Sequence, residues 1–109
     1  MIKVGIYGAS GYMGGEALRV LNEHPEAEIV WATSRSTQPL ESYHRNLIGA
    51  GLKLVQPENL APVDVVFFAT PTGYAMSQAQ ELLAQGTKLI DLGSDFRLRD
   101  RAEWERLYK

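Results

Sequence analysis

Short apolar stretches recur along the chain and predict the strands of a sheet. Residues 2–7 (IKVGIY) and 63–69 (VDVVFFA) are mostly apolar, which is typical of parallel strands covered on both faces. Residues 28–34 (EIVWATS) and 88–92 (KLIDL) are predicted as two further strands, and residues 52–55 (LKLV) as a short edge strand. These lengths and compositions favour a buried, mainly parallel sheet.

Helical spacing of apolar residues follows two of these strands. Residues 12–23 and 75–85 repeat apolar positions at helical intervals, and a proline or a glycine follows each stretch. Residues 101–108 predict a short terminal helix. Residues 36–51 have weak periodicity and are predicted as a loop, with a short helix near residues 40–47.

The order of these elements predicts the fold class. Strands and helices alternate as in βαβ units, which place successive strands parallel and join them by right-handed crossovers. We therefore predict an α/β fold: a Rossmann-like, doubly wound, mainly parallel sheet in a single domain over residues 1–109.

Composition and charge narrow the classes of partner. A net charge of −2 and a pI of about 5.6 argue against a nucleic-acid-binding surface. The sequence contains no apolar run of membrane-spanning length and no amino-terminal pattern of a secretory signal. It has no cysteine, which excludes a thiol nucleophile and a thiolate metal site within these residues. We expect a cytoplasmic location, no nucleic acid or membrane partner and no metal.

A glycine-rich loop carries the clearest chemistry. Gly8, Gly11 and Gly14 lie between the first strand and the first helix. In such a unit the first glycine permits a tight turn, the second lets a diphosphate approach the backbone, and the third lets the helix pack closely. The helix then offers N–H groups and the positive end of its dipole to an anion, and the Ser10 hydroxyl is a further donor. The loop therefore predicts dinucleotide binding.

The glycine spacing alone is weak evidence. It reads G-x-x-G-x-x-G rather than the commoner G-x-G-x-x-G, and isolated glycines often mark simple turns. The strand before the loop and the helix after it favour the dinucleotide interpretation. The Lys-Ser/Thr ending of a Walker A loop is absent.

The end of the second strand indicates which dinucleotide is bound. NAD-binding domains place Asp or Glu there to accept a hydrogen bond from the ribose 2′-hydroxyl. This chain has Ser34 and Arg35 instead, and these residues suit a 2′-phosphate that a carboxylate would repel. We therefore predict NADP as the cofactor. The alternative is that Arg35 is a solvated loop residue.

Two segments after later strands are less specific. Residues 70–73 (TPTG) follow the third long apolar run at the edge where doubly wound sheets bind ligands, although they could be a plain strand-to-helix turn. Asp91, Ser94, Asp95 and Arg97 cluster after the last strand. Such alternating charges are commonly solvated or paired with one another.

Several segments together carry a resemblance to a known family. "GIYGASGYMGGEALRVLNEHPEAEI", "TSR", "VFFATPTG" and "LIDLGSDFRLRD" resemble the amino-terminal part of the N-acetyl-γ-glutamyl-phosphate reductases, a family of semialdehyde dehydrogenases. The likeness runs from about Ile2 to the end of the chain. It implies NADP-linked reduction of an acyl phosphate to an aldehyde through a cysteine thioester, with a histidine in acid–base catalysis.

The resemblance also implies roles for individual residues. Asp95 and Arg97 would shape the edge of the active site. The pyrophosphate loop would be Gly8, Ala9, Ser10, Gly11, Tyr12, Met13 and Gly14, the 2′-phosphate readers Ser34 and Arg35, and the nicotinamide-side turn Pro71 and Gly73.

The chain departs from the family pattern in two ways. Thr72 stands where family members often have His, which leaves the side-chain role at that turn open. The family's cysteine has no counterpart, so no catalytic residue can be named and we expect an incomplete, inactive fragment that holds the nucleotide-binding domain. The catalytic and dimerisation domain would lie outside it, and the full-length enzyme would act on a small acyl phosphate as a homo-oligomer.

Two alternatives remain open at this stage. A related reductase acting on an aminoadipyl or aspartyl phosphate would share these motifs. A non-catalytic nucleotide-binding module is the alternative from a different class. In either case a fragment should expose an edge strand, and we expect a marginal fold that self-associates, with an apolar patch near Trp104 and Tyr108.

Overall fold

The computed structural model describes residues 1–34 and 54–108. The strands within these residues are Ile2–Tyr7 (β1), Ala27–Thr33 (β2), Leu54–Val55 (β3), Val65–Phe68 (β4) and Lys88–Asp91 (β5). The helices are Tyr12–Asn22 (α1), Tyr74–Ala84 (α2) and Arg101–Tyr108 (α3). The predicted strands and long helices are confirmed. The helix predicted near residues 40–47 lies outside the described residues.

All neighbouring strands in the described sheet are parallel, in the order β3-β2-β1-β4-β5. The chain builds outward from β1 to β3 and then returns to the other side of β1 with β4 and β5. The strand order therefore reverses between β1 and β4, and the carboxyl ends of both strands lie at the same edge. This topology confirms the doubly wound prediction and creates the crevice where such sheets bind ligands.

The two long helices cover opposite faces of the sheet. Leu18 of α1 packs with Val4 and Ile6 in one core cluster. Ala75 of α2 packs with Phe68 in the other. Leu18, Ile6 and Phe68 are fully buried, and each such side chain contributes about 1.5–3 kcal/mol to stability. Alternate residues of each strand therefore face different helices, which explains why the strand sequences are apolar throughout.

Gly5 makes room for an aromatic side chain on the neighbouring strand. A Cβ at Gly5 would overlap the indole ring of Trp31. The Trp31 indole N–H donates to the Ala61 carbonyl oxygen at 2.8 Å, which ties the segment between β3 and β4 to this face of the sheet. The contact shows that one glycine of the amino-terminal segment serves the core rather than a ligand.

The outer edge of the described sheet is more exposed than its centre. Ile90 of β5 is 43% exposed, and Leu83 and Phe96 nearby are 59% and 55% exposed. Trp104 is only 7% exposed, and its indole N–H donates to the Ser94 carbonyl oxygen at 2.7 Å. The prediction of an apolar patch near Trp104 and Tyr108 is therefore wrong for the Trp104 side chain itself, whereas Leu107 between them is 54% exposed and further exposed apolar side chains lie around β5.

Candidate functional site

A cavity of about 500 Å³ opens at the carboxyl edge of the sheet, where β1, β2 and β4 end. We call it the central cavity. Its walls come from the residues that directly follow these strands: Gly8, Ser10 and Gly11 after β1, Thr33 and Ser34 at the end of β2, and Ala69, Thr70 and Pro71 after β4. The cavity thus lies at the point where the strand order reverses, as the sequence predicts for a nucleotide site.

The three spaced glycines have different physical reasons to be glycine. Gly8 has a φ of 81°, and a Cβ there would overlap the Ala69 carbonyl oxygen. A Cβ on Gly14 would lie 2.8 Å from Ala9 Cα and would overlap the Gly8 carbonyl oxygen. A Cβ on Gly11 would lie 4.0 Å from the Gly8 carbonyl oxygen, its nearest contact among the described residues. Gly8 therefore permits the turn, Gly14 permits close packing of α1, and Gly11 borders open space.

No side chain in the described part of the chain caps the amino terminus of helix α1. Its N-cap residue is Gly11, whose extended backbone provides no side-chain acceptor, and its first turn holds no acidic residue. The first N–H groups of a helix have no partner within the helix, and the dipole makes this end positive. The terminus at the central cavity is therefore suited to an anionic group of a ligand.

Other residues of the predicted pyrophosphate loop are placed differently. Ala9 is fully buried, and its N–H donates to the Thr33 carbonyl oxygen at 2.9 Å, so this N–H already has an acceptor within the fold. Tyr12 is 94% and Met13 55% exposed, and neither side chain lines the central cavity. Ser10 does line it. Any contribution of Tyr12 and Met13 would come through their backbone.

The end of β2 forms the wall on one side of the glycine loop. Thr33 and Ser34 are buried, and the Ser34 N–H donates to the Val55 carbonyl oxygen at 3.1 Å. This bond places Ser34 between β2 and β3 at the cavity rim. Arg35, the other predicted reader of a 2′-phosphate, lies outside the described residues.

The turn of residues 70–73, which we call the β4–α2 turn, forms the opposite wall. Thr70 and Pro71 line the central cavity, whereas Gly73 is the N-cap of α2 with a φ of 100°. The N–H of Gly73 donates to the carboxylate of Asp95, at 2.9 Å from Oδ1. Of the predicted pair, Pro71 therefore lies at the cavity, and Gly73 fixes where the helix begins.

Two aromatic side chains, Tyr7 and Tyr74, line the central cavity. Tyr7 stacks on Phe68 with their ring centroids 5.0 Å apart and meets Tyr74 edge-on at 5.4 Å. Burial raises the pKa of the Tyr7 phenol, and the nearby Tyr74 and Glu81 raise this pKa further. Tyr7 is therefore a neutral group at physiological pH.

Sequence reasoning missed several cavity residues. Tyr7 ends β1 and Tyr74 begins α2, so their positions at element ends were a usable signal. Pro57 also lines the cavity, but it follows a strand of two described residues and offers no comparable signal. Asp95 contacts α2 from a distant part of the chain, and its charge cluster alone does not reveal that contact.

A second cavity of about 550 Å³ lies beside β5 and α2. Asp91 lines it, and its Oδ2 atom is buried with no hydrogen-bond partner among the residues that the structure describes. The Oδ1 atom of Asp91 accepts from the Gly93 N–H at 2.9 Å. No described residue lines both cavities, and none of the glycine-loop residues lines this one.

Residues 1–34 and 54–108 contain neither a metal-binding cluster nor a membrane-spanning helix. No group of three or more His, Cys, Asp or Glu side chains is arranged there to hold a metal ion. None of the helices in this part of the chain combines the length and apolar character needed to cross a membrane.

Curated relatives match almost the whole chain. The N-acetyl-gamma-glutamyl-phosphate reductase of Pseudomonas savastanoi pv. phaseolicola is 52% identical over 114 residues, covering 99% of this chain and 33% of that protein. The protein of that name from Bordetella pertussis is 52% identical over 113 residues, covering 99% of this chain and 32% of its own. The chain thus spans about a third of the length of these relatives.

Solved structures share the fold. The aspartate semialdehyde dehydrogenase of Candida albicans, solved with NADP, superposes with a TM-score of 0.73 at 20% identity, covering 91% of this chain and 31% of that one. The scyllo-inositol dehydrogenase of Lactobacillus casei, solved with NAD(H) and scyllo-inositol, gives a TM-score of 0.63 at 25% identity, covering 84% and 27%. Both similarities place this chain among Rossmann-like nucleotide-binding folds.

A family profile agrees with the geometry. The profile described as "Semialdehyde dehydrogenase, NAD binding domain" matches residues 3–104, which include the glycine loop, the β4–α2 turn and the segment that carries Asp95. With its central cavity at the strand-order reversal and this match over most of its length, the chain belongs to the family of semialdehyde dehydrogenase NAD-binding domains.

Proposed function

We propose that this chain is the NADP-binding domain of an N-acetyl-γ-glutamyl-phosphate reductase. The whole enzyme would reduce N-acetyl-glutamyl 5-phosphate to N-acetyl-glutamate 5-semialdehyde with NADPH, a step of arginine biosynthesis. The observation that carries nucleotide binding is the uncapped α1 terminus at Gly11, which borders the central cavity. The identity of 52% to reductases of that name supports the choice of substrate.

The strand order suggests how the dinucleotide lies in the cavity. The diphosphate would sit over Gly11 at the start of α1, because that helix end is uncapped and borders open space. β2 and β4 flank β1 on opposite sides. The adenosine half would therefore extend toward Ser34 and the nicotinamide half toward Pro71.

The end of β2 supports NADP over NAD. No carboxylate directly follows this strand, and Ser34 with Arg35 occupies the position where NAD-binding domains hold Asp or Glu. A guanidinium can bind a 2′-phosphate through two parallel N–H bonds. We therefore propose that Ser34 and Arg35 read the 2′-phosphate.

The residues of this chain would bind and orient rather than form covalent bonds. When bound, NADPH would supply the hydride that reduces an acyl group. Gly8, Gly11 and Gly14 would seat the diphosphate, and Pro71 would border the reacting half. The chain holds no cysteine and spans about a third of its relatives, so a thiol nucleophile of the whole enzyme would lie outside these residues.

Several further features of the whole protein stay predictions. They are a cytoplasmic location, a homo-oligomeric assembly and a small acyl-phosphate substrate. An aminoadipyl- or aspartyl-phosphate reductase is the alternative enzyme, and an assay of the full-length protein with each acyl phosphate separates these. A non-catalytic nucleotide-binding module would bind NADP(H) but show no turnover in that assay.

Calorimetric titration with NADPH and NADH tests the proposed cofactor. We expect tighter binding of NADPH, and an Arg35→Ala variant should lose about 1.5–3 kcal/mol of that binding free energy while its NADH affinity stays unchanged. Arg19→Ala is the matched control, because Arg19 is exposed and pairs with Glu16 at 2.9 Å. Equal affinity for the two dinucleotides would overturn the assignment to NADP.

A further inference from the structure

The carboxylate of Asp95 is buried against the start of α2. Asp95 is 5% exposed. Its Oδ1 and Oδ2 accept from the Gly73 N–H at 2.9 and 3.1 Å, and its Oδ2 accepts from the Met76 N–H at 2.9 Å. Gly73 lies 22 positions away along the chain. The contact therefore joins the segment after β5 to the helix that follows β4.

The Asp95 carboxylate provides the side-chain cap that the N-cap residue of α2 lacks. The N-cap is Gly73, which has no side chain to accept from the first turn of the helix. Asp95 supplies the acceptor from outside the helix, and its negative charge faces the positive end of the helix dipole. Hydrogen bonds with one ionised partner are stronger than neutral ones, so Asp95 holds the beginning of α2 firmly.

Asp95 is itself held in place by its neighbours. The Ser94 carbonyl oxygen accepts from the Trp104 indole N–H at 2.7 Å, and the Gly93 carbonyl oxygen accepts from Arg97 at 3.2 Å. The segment that carries the carboxylate is thereby anchored to α3 and to its own turn. A fixed carboxylate can fix the backbone that it binds.

The bound backbone belongs to the wall of the central cavity. Thr70 and Pro71 line the cavity. Gly73 ends the same turn, and Tyr74 is the first residue of α2. The β4–α2 turn thus faces the cavity on one side and is hydrogen-bonded to Asp95 on the other. Thr72 adds a weaker tie, with its Oγ1 3.4 Å from the Ser94 Oγ.

The two helix amino termini near this edge of the sheet differ in charge. Within residues 1–34 and 54–108, no side chain caps the start of α1 at Gly11. The start of α2 holds the Asp95 carboxylate. An anionic diphosphate is attracted to the first and repelled from the second.

We infer that Asp95 is a positioning residue for the nicotinamide-side wall of the cavity. It holds Thr70 and Pro71 in place through the start of α2. Its negative charge repels a diphosphate from the start of α2, so the diphosphate binds at the start of α1. The inference rests on the proposed nucleotide-binding function. Asp95 does not line the cavity and acts through the backbone of Gly73 and Met76.

Separate ligands for the two halves of the cofactor test this inference. We expect Asp95→Ala to weaken NADPH binding about tenfold, because the wall near the nicotinamide half loses its support. Binding of 2′,5′-ADP, which lacks the nicotinamide half, should change less than about twofold by the same reasoning. Asp95→Asn, which keeps one acceptor oxygen, should give an intermediate NADPH affinity.

Asp100→Ala is the matched control variant. Asp100 Oδ1 accepts from the Ala102 N–H at 3.0 Å at the start of α3, so it too is an aspartate that caps a helix, but the backbone that it binds is not part of the β4–α2 turn. This variant should leave both affinities unchanged. Equal losses of NADPH and 2′,5′-ADP in Asp95→Ala would show a general loss of structure and would overturn the inference.

A measurement without ligand separates this inference from the proposed function. Amide hydrogen exchange at Gly73 and Met76, together with the amide chemical shift of Thr70, should change in Asp95→Ala and stay unchanged in Asp100→Ala. Unchanged values in Asp95→Ala would overturn the positioning role whatever the ligands do. If the parent chain binds neither ligand while these amides respond, the proposed binding function fails for this chain and the support of the turn by Asp95 stands.

Discussion

Gly14 packs against Gly8 so closely that the contact leaves no room for a side chain. A Cβ on Gly14 would overlap the Gly8 carbonyl oxygen and lie 2.8 Å from Ala9 Cα. Both neighbours are backbone atoms, which cannot rotate away as a side chain could. The closeness of α1 to the loop after β1 therefore depends on glycine at this position, and α1 in turn presents its amino terminus to the central cavity.

The first prediction is that Gly14→Ala destabilises the fold. Alanine favours a helix over glycine by up to about 1 kcal/mol, but the overlap with backbone forces α1 away from the loop. We expect a net loss of about 1–3 kcal/mol in the free energy of unfolding, which urea denaturation measures. A variant as stable as the parent would show that the loop can yield at this point.

The second prediction is that Gly11→Ala leaves the fold intact and removes nucleotide binding. A Cβ there would meet no atom closer than 4.0 Å, and the φ of −82° suits alanine. The methyl group would occupy space at the cavity into which the diphosphate must come close to the backbone. We expect a stability within about 1 kcal/mol of the parent and NADPH binding at least about tenfold weaker by calorimetry.

Gly11→Ala and Gly14→Ala control for each other. The two variants add the same methyl group three residues apart, so composition and charge do not differ between them. Normal NADPH affinity in a folded Gly11→Ala variant would argue against a diphosphate at α1. A loss of stability in Gly11→Ala would mean that this position serves packing, as Gly14 does.

Local sequence signals were sufficient to predict the glycine loop. Apolar runs of strand length, helical spacing after Tyr12 and three glycines between them are all contained within residues 2–23, so the strand–loop–helix unit could be predicted without other parts of the chain. The conformation of the turn after β1 then follows from local sterics, because Gly8 has a φ of 81°, which glycine adopts readily. The doubly wound sheet was also predicted, because strands and helices alternate along the chain.

Contacts between distant segments could not be predicted in the same way. Asp95 lies 22 positions from Gly73 along the chain, and the residues around Asp95 do not indicate that its carboxylate accepts from the Gly73 N–H. The Trp104 indole N–H likewise finds its acceptor in the Ser94 carbonyl oxygen, whose position is set by the path of the chain after β5. Hydrogen bonds that depend on tertiary placement leave no periodic signal in the sequence.

The third prediction concerns alkaline pH. Burial raises the pKa of the Tyr7 phenol above its ordinary value of 10.0, so the folded protein holds this proton more tightly than the unfolded chain does. The resulting stabilisation is fully present below pH 10.0 and is lost as the pH rises above that value and through the folded pKa. Urea denaturation at a series of pH values should therefore show stability falling in this range.

Variants of two tyrosines separate this effect from general alkaline unfolding. Tyr7→Phe should make the alkaline fall shallower, because the ring stays in the cluster while the titrating hydroxyl is removed. Tyr12→Phe is the control, since that side chain is 94% exposed. If both variants follow the parent over the whole alkaline range, the Tyr7 phenol does not contribute to the pH dependence.

The last prediction concerns the exposed edge at β5. Within the described residues β5 pairs with β4 alone, and Ile90 on it is 43% exposed. An edge strand with an exposed apolar residue can pair with a second copy, and a lysine on such a strand opposes that pairing. We expect the chain to self-associate with rising concentration in sedimentation velocity, and Ile90→Lys to reduce that association.

Val30→Lys is the matched control, because Val30 is a similarly exposed apolar residue, 38%, on the internal strand β2. Equal reduction by both variants would trace the effect to the added charge rather than to the strand edge, and a parent chain that stays monomeric at high concentration would rule out pairing at β5.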